Sequence, residues 1–183
     1  MKTALLATAI LAIAASLPAG AHDLSISDVN DLPVSQVATF HSMAGEGLSA
    51  FVKRIAPEFS GYTERTGHEA CAVIGVTKAE NDGTVDGAFS VTMSTIHSQI
   101  ACTSSAVEEG YTSLGRTIHS HPQKHVIRLT ALDMKARGTP AGKLRTETPE
   151  TCKFSDQDYA APGYLVTCGK VLVQTGRGTE KEL

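Results

Sequence analysis

The N-terminal segment decides which part of this chain can fold, because residues 1–21 have the pattern of a bacterial-type secretory signal peptide. Lys2 gives a positive start, residues 4–15 are apolar, and residues 19–21 (Ala-Gly-Ala) form an A-x-A cleavage site. The apolar run is shorter than the roughly 20 residues that span a membrane. We therefore expect an exported, periplasmic or secreted protein of residues 22–183, a length typical of one domain, without a membrane span.

The charge of the exported part argues against polyanionic partners. Loss of Lys2 with the leader leaves 15 of the 16 basic residues against 19 acidic residues. The net charge is then about 15 − 19 = −4 with neutral histidines. Such a chain has no long-range attraction for nucleic acid or for an anionic membrane surface. Neither is expected as a partner.

All four cysteines lie downstream of the leader, and an even count in an oxidising compartment predicts two disulfides. Three pairings are possible, and local closure favours Cys71 with Cys102 and Cys152 with Cys168. The second bond would close a loop of about 15 residues, worth ~3 kcal/mol in the chain-entropy model. No C-x-x-C pair is present, so neither a redox dithiol nor a Cys-rich zinc site is expected.

Hydrophobic periodicity predicts one long helix and several strands. Apolar residues at three-to-four spacing predict a helix over residues 35–55, capped by Ser35 and ended by Pro57. Short apolar or alternating runs predict strands at residues 70–77, 85–93, 96–105 and 111–119, with a turn at 81–83 and a terminal hairpin at 164–167 and 170–174. Residues 123–153 show no periodicity and predict an inserted loop with a functional reason for its length.

The sequence His119-Ser120-His121-Pro122 is the strongest chemical signal. Residues two apart lie on one face of an extended strand, so both imidazoles can reach one cation, and the proline ends the strand. Neutral imidazole binds zinc, copper, iron or nickel, and zinc is usual where no redox chemistry is needed. The alternative for this pair is a surface turn satisfied by water.

One acidic residue before this histidine pair and one after it lie in sequence settings that suggest a shared site. Glu69 leads into the first apolar strand, and Asp158 ends an S-x-x-D sequence that begins at Ser155. A Glu before such a strand, a later H-[ST]-H-P and then S-x-x-D together resemble the pattern of the JAMM (Jab/MPN) metallopeptidase family. The resemblance spans roughly residues 35–176, in the family's order of elements.

The resemblance implies a fold and a function. The fold would be a single α+β domain of JAMM/cytidine-deaminase-like type, with a mixed, mainly antiparallel sheet packed against helices. The domain would cover residues 22–183, with the inserted loop at about 123–153. The function would be that of an exported zinc-dependent peptidase or isopeptidase acting on a peptide or protein substrate.

The resemblance also implies a role for each site residue. His119, His121 and Asp158 would bind Zn²⁺ and leave a fourth tetrahedral position for water. Glu69 would take a proton from that water and pass it to the leaving amine. The Ser155 hydroxyl would stabilise the oxyanion of the tetrahedral intermediate. The plain alternatives are a solvated charge for Glu69 and a helix N-cap for Ser155.

The spacing departs from the family pattern and leaves the third ligand open. Family members typically have seven residues between the second His and the Ser, whereas residues 122–154 intervene here. Asp133, in the closer sequence Thr130-Ala131-Leu132-Asp133, is therefore the alternative to Asp158 and is otherwise expected on the loop surface. Asp158 is preferred because the segment around Ser155, followed by the hairpin, resembles the family's region after the motif.

Two other functions remain open at this point. Cleavage after Ala21 would expose His22, whose amine and imidazole can chelate copper in a histidine brace of a non-catalytic periplasmic protein. A degenerate, non-catalytic JAMM-like binding domain is the other. The remaining histidines are expected to be structural or exposed: His41, His68, His97 and His125.

Overall fold

A seven-stranded mixed sheet is the framework of the protein, in a computed structural model that describes residues 32–77, 87–123, 126–136, 146–148 and 150–183. Its strands are β1 (Ser35–His41), β2 (Cys71–Val76), β3 (Phe89–Thr95), β4 (Thr112–Ser120), β7 (Gly163–Thr167), β8 (Lys170–Gln174) and β9 (Lys181–Glu182). A separate two-stranded sheet joins β5 (Ile127–Arg128) to β6 (Thr146–Glu147). The helices are α1 (Leu48–Thr66), α2 (Ala131–Ala136) and a 3₁₀ helix (Asp156–Ala160).

The order of the large sheet is β1-β3-β2-β4-β7-β8-β9, and its one parallel pair is β4 with β7. This confirms the expected single-domain α+β fold with a mixed, mainly antiparallel sheet. Because β4 and β7 are parallel, their C-terminal ends lie side by side at one end of the strands. Because β2 runs antiparallel to β4, the start of β2 lies at that end too, with Cys71 opposite His119.

Helix α1 covers one face of the sheet and forms the main core with it. Its buried side chains include Phe51, Ile55 and Phe59, none of them more than 1% exposed. They belong to one apolar cluster with side chains of the central strands, among them Ile74 and Val91. Burial of this apolar area supplies most of the stabilisation, at about 25 cal/mol per Å² removed from water.

The predicted helix over residues 35–55 is wrong in its position. Residues 35–41 form the edge strand β1, which pairs with β3, and the helix starts only at Leu48. Gly45 has a positive φ of 72°, a conformation that favours glycine and interrupts any helix running through it. The apolar residues of 35–41 fit a helical spacing by coincidence, and pairing with β3 decides their conformation.

Helix α1 also runs through Pro57 and ends at Thr66 instead of stopping before the proline. The proline removes one helical hydrogen bond to the carbonyl of Lys53. Both side chains are exposed, so that carbonyl lies on the solvent side of the helix, where water can replace the lost donor. The helix ends at Gly67, whose φ is 73° and whose N–H donates to Thr63 O at 2.7 Å.

The strand predictions are confirmed at 70–77, 111–119 and the terminal hairpin, and are displaced or wrong elsewhere. The strand predicted at 85–93 corresponds to β3, which begins at Phe89. The predicted turn at 81–83 lies outside the described residues. Residues 96–105 are not a strand. The hydroxyl of Ser94 holds part of that segment by donating to Thr103 O and accepting from Ser105 N.

The inserted segment 123–153 contains more structure than the expected loop. In its described parts it carries β5, α2 and β6, and a small apolar cluster of Ile127, Leu129 and Met134 packs against Ile100. These elements are two to six residues long, too short to produce a readable periodicity.

The two disulfides join Cys71 to Cys102 and Cys152 to Cys168, with Cα–Cα distances of 5.9 and 5.5 Å, and confirm the pairing expected from local closure. Two disulfides fit an oxidising, exported environment. Among the described residues, no helix has both the length and the apolar character needed to cross a membrane. The predicted signal peptide lies outside the described residues.

Candidate metal centre

His119 is fixed by the centre of the sheet. It lies in β4, opposite Cys71 of β2 on one side and Leu165 of β7 on the other, and is 8% exposed. Its Nε2 lies 3.2 Å from Oδ1 of Asp158 but has no hydrogen-bond partner within the described part of the chain. A buried ring nitrogen left without a partner is costly unless something else fills its lone pair, and a metal ion can do so.

His121 lies just past the end of β4, where its N–H donates to Val166 O at 3.3 Å. Its Nδ1 is 3.2 Å from the carbonyl oxygen of Thr151. A carbonyl only accepts, so Nδ1 carries the proton and Nε2 keeps a free lone pair. That Nε2 lies 3.7 Å from Oδ2 of Asp158 and 4.0 Å from Oε1 of Glu69.

Asp158 comes from the 3₁₀ helix and completes the group. Its Oδ2 accepts a hydrogen bond from the backbone N–H of Ser155 at 2.6 Å, which aims the other oxygen at His119. One donor atom each from His119, His121 and Asp158 lie within 4.8 Å of one another. Ligand bonds of about 2.0–2.2 Å place tetrahedral zinc ligands roughly 3.4 Å apart. The distances from Asp158 to His119 and to His121, 3.2 and 3.7 Å, lie on either side of that value.

Two of the three candidate ligands, His121 and Asp158, are in the protonation states that a metal requires. Burial lowers the pKa of His121 to about 4, and the neighbouring His119 acts in the same direction against Asp158 and Thr151. Burial would raise the pKa of Asp158, but His119, the Ser155 N–H and His121 together lower it to about 2. At neutral pH the group therefore presents a neutral imidazole and a carboxylate.

Glu69 lies beside this group and outside it. It is 7% exposed and directly precedes β2, where its N–H donates to Ser98 O and its carbonyl accepts from Thr95 Oγ1, both at 2.8 Å. Its carboxylate faces His121 across the 4.0 Å contact. Glu69 therefore places a second carboxylate next to the three candidate ligand residues without belonging to their group.

Ser155 is exposed and stands at the N-cap of the 3₁₀ helix, so the plain interpretation of S-x-x-D as a capping sequence describes its backbone position. Its backbone N–H donates to the Asp158 carboxylate at 2.6 Å, and its side chain faces the Asp158 N–H in a reciprocal capping box. The hydroxyl lines the same cleft as the histidines, and its oxyanion role stays a prediction.

Ser120, between the two histidines, has a positioning role that the motif alone did not reveal. Its buried hydroxyl lies 2.5 Å from Thr63 Oγ1 of α1 and accepts from Ala70 N at 3.3 Å. It thereby ties the end of β4 to the residue that follows Glu69. The signal in the sequence is its place on the opposite strand face from the histidines, which is the core face.

Asp133, the alternative third ligand, is not on the loop surface as expected but is fully buried. Its carboxylate accepts hydrogen bonds from Ser98 Oγ, from Gln99 N and Nε2, and from Thr130 N and Oγ1, at 2.7–3.0 Å. Burial would raise its pKa, but the bonds from Thr130, Ser98 and Gln99 hold that pKa below its usual range. These oxygens are saturated, and Asp133 stands outside the candidate ligand group.

The other predicted histidines lie away from the group or outside the described residues. His41 is exposed and forms a hydrogen bond with Glu108 at 2.6 Å. His97 is also exposed, and its ring contacts Ser35 and meets the His68 ring edge to face. His22 and His125 lie outside the described residues. The copper brace therefore stays a prediction.

The candidate centre opens into a cleft of about 750 Å³. One wall is formed by residues 99–102, which the Cys71–Cys102 disulfide ties to β2. The other wall is formed by residues 153–161, including Phe154, Tyr159 and the 3₁₀ helix. The arrangement can therefore hold a metal ion at the side of a cleft that admits a ligand.

Without metal, the protein should lose stability as the pH falls from 6.5 to 4. Unfolded His121 takes up a proton near pH 6.5, whereas the folded ring does so only near pH 4, so protons favour the unfolded chain in this window. The full effect is about 3 kcal/mol, present below pH 4 and absent above pH 6.5. Urea unfolding with EDTA at several pH values measures it. His121→Asn should remove this part of the pH dependence, and an unchanged profile in the variant would contradict the assignment.

Asp133→Ala should lower the free energy of unfolding by about 2–4 kcal/mol, because it leaves several buried donors without a partner. Affinity for a divalent ion should be unchanged at temperatures where the variant is folded. Denaturant unfolding and ion titration measure the two effects. Asp156→Ala is the control, since its side chain is 90% exposed and pairs with Arg177 in an exposed contact. Loss of ion binding at full stability would instead make Asp133 a ligand.

Comparison of the chain with protein-family models, with curated proteins and with solved structures found no match in any of the three.

Proposed function

We propose that this protein is an exported, zinc-dependent peptidase or isopeptidase of JAMM-like type. The observation that carries the proposal is the grouping of His119, His121 and Asp158 beside a buried Glu69, on one side of a cleft. The two disulfides agree with a site of action outside the reducing cytosol.

The donor set supports zinc as the ion. Two imidazoles and one carboxylate are a usual set of three protein ligands for catalytic zinc, with one position left for water or substrate. The same donors also suit non-haem iron, but hydrolysis needs no redox change. When bound, zinc supplies Lewis acidity, which lowers the pKa of a coordinated water toward ~7 and polarises a carbonyl.

Glu69 would handle the proton. Its carboxylate takes a proton from the attacking water and gives it to the nitrogen of the leaving amine, so one residue acts as base and then as acid. Its backbone is fixed at both the N–H and the carbonyl, by Ser98 and Thr95, and this holds the side chain at the cleft. Its burial lowers the local dielectric and so strengthens its interaction with the reacting groups.

The rest of the cleft would bind and orient the substrate. A volume of about 750 Å³ accommodates several residues of an extended peptide, between the walls at 99–102 and 153–161. The hydroxyl of Ser155, on the second wall, would donate a hydrogen bond to the developing oxyanion. Loss of such a donor lowers the rate ~10²–10³-fold. Phe154 and Tyr159 give that wall an apolar part.

Elemental analysis of the purified protein should find about one zinc per chain. His119→Ala should lose it, because the variant removes one of the three proposed ligands. His41→Ala, an exposed histidine away from the group, should keep the metal and serves as the control. A wild-type protein that folds but takes up no zinc, even when zinc is added, would refute the metal site.

Glu69→Gln should lower amide hydrolysis by about 10²–10⁴-fold, because the amide cannot accept the proton. Zinc content should remain, since Glu69 stands outside the ligand group. Turnover of a mixture of fluorogenic peptides is compared with zinc content in the same sample. Glu109→Gln changes an exposed residue and should retain activity. A Glu69→Gln protein with full turnover would exclude the proposed proton transfer.

A further inference from the structure

We propose that the Thr167 hydroxyl and the Cys152–Cys168 disulfide act together as a positioning device for His121, by holding the Thr151 carbonyl that orients its imidazole toward the ion. The inference deepens the proposed function and rests on the metal site of that proposal. It assigns to one of the two disulfides a role in metal affinity in addition to its role in stability.

The first step is that the two histidines are held in different ways. His119 has strands on both sides, β2 and β7, and its position follows from their ladders. His121 lies beyond the end of β4 and precedes Pro122, which has no N–H to continue the pairing. The orientation of its ring depends on the hydrogen bond from Nδ1 to the Thr151 carbonyl, at 3.2 Å.

The second step is that the Thr151 carbonyl is itself held from β7. The hydroxyl of Thr167 donates to it at 2.5 Å, and Thr167 is only 2% exposed at the end of that buried strand. A carbonyl oxygen has two lone pairs, so it can accept from Thr167 and from His121 at the same time. The Thr151 carbonyl therefore links the position of the Thr167 side chain on β7 to the orientation of the His121 imidazole.

The third step is the covalent bond one residue further along each segment. Cys152 follows Thr151, Cys168 follows Thr167, and the two are joined with a Cα–Cα distance of 5.5 Å. The disulfide therefore keeps residue 151 next to residue 167 even when the hydrogen bond between them breaks. It joins the inserted segment to the sheet at the point where the segment meets His121.

The other disulfide provides a matched comparison. Cys71–Cys102 joins β2 to the wall at 99–102, on the side of Glu69. Cys71 lies opposite His119, but the strand ladders hold His119 without the disulfide. Removing this bond should loosen one wall of the cleft without releasing a ligand. The two disulfides should therefore have different effects on metal affinity.

Partners that orient a ligating histidine typically change metal affinity by about 10–100-fold when they are removed. Thr167→Val removes the hydroxyl and keeps the shape, so zinc affinity should fall by a factor in that range. Thr167→Ser keeps the hydroxyl and should restore most of the affinity. The alanine pair Cys152→Ala and Cys168→Ala should weaken zinc binding as well, whereas Cys71→Ala and Cys102→Ala should affect it less.

The experiment measures the zinc dissociation constant by competition with a chromophoric chelator, on the full exported chain of each variant. Thermal unfolding of the metal-free proteins separates affinity from stability. The visible spectrum of the cobalt-substituted proteins reports ligand geometry, which a general loss of stability would not change. If the alanine pair at 152 and 168 does not fold, the Thr167→Val and Thr167→Ser pair decides the question.

Equal zinc affinity and cobalt spectra in wild type and Thr167→Val would overturn the inference and leave the proposed function intact. Equal losses from removal of either disulfide would overturn the specific role of Cys152–Cys168. Wild-type protein that binds zinc with the expected variant pattern but hydrolyses no amide would support the inference and refute the proposed function. Wild-type protein that binds no zinc would refute both.

Discussion

The pairing of β4 with β2 on one side and with β7 on the other determines where the polar groups of the candidate metal centre lie. The antiparallel pair places Glu69, just before β2, beside the end of β4 that carries the histidines. The parallel pair places Thr167 and the disulfide at the same edge. Ser120 joins these elements to α1 through its contact with Thr63. A change of register in β4 would therefore move both imidazoles and separate them from Glu69.

A fully buried carboxylate, Asp133, and a partly buried one, Asp158, illustrate how structural and candidate functional groups differ in this fold. Asp133 accepts five hydrogen bonds and is fully satisfied within the protein. Asp158 accepts one from a backbone N–H and otherwise faces two imidazoles. One of these has a buried nitrogen that no described residue hydrogen-bonds. Native proteins rarely leave such groups unpaired unless a ligand satisfies them. The difference supports an ion at the second site and none at the first.

The strand at 111–119 and both disulfide pairings were predictable from sequence, whereas the position of the long helix and the pairing of the edge strand were not. The H-S-H-P sequence ends a strand because proline does so, whatever the rest of the chain does. The helix was misplaced because residues 35–41 have a spacing that suits both a helix and a strand, and only pairing with β3 decides between them. Choosing Asp158 over Asp133 needed the family resemblance, since the spacing favoured Asp133. The Thr151 carbonyl was beyond prediction, because a backbone acceptor leaves no mark in the sequence.

The crossover from β4 to β7 has a consequence for how the protein matures. Its parallel pair is a non-local contact, and such contacts are slow to form because loop closure precedes any gain in energy. The histidines lie on one side of that crossover, and Asp158 lies near its far end. In an unfolded chain the three side chains are far apart, so an ion site made from them would exist only once the crossover has closed. An ion bound there would favour the native state over the unfolded chain, which would couple ion supply to the lifetime of the folded protein.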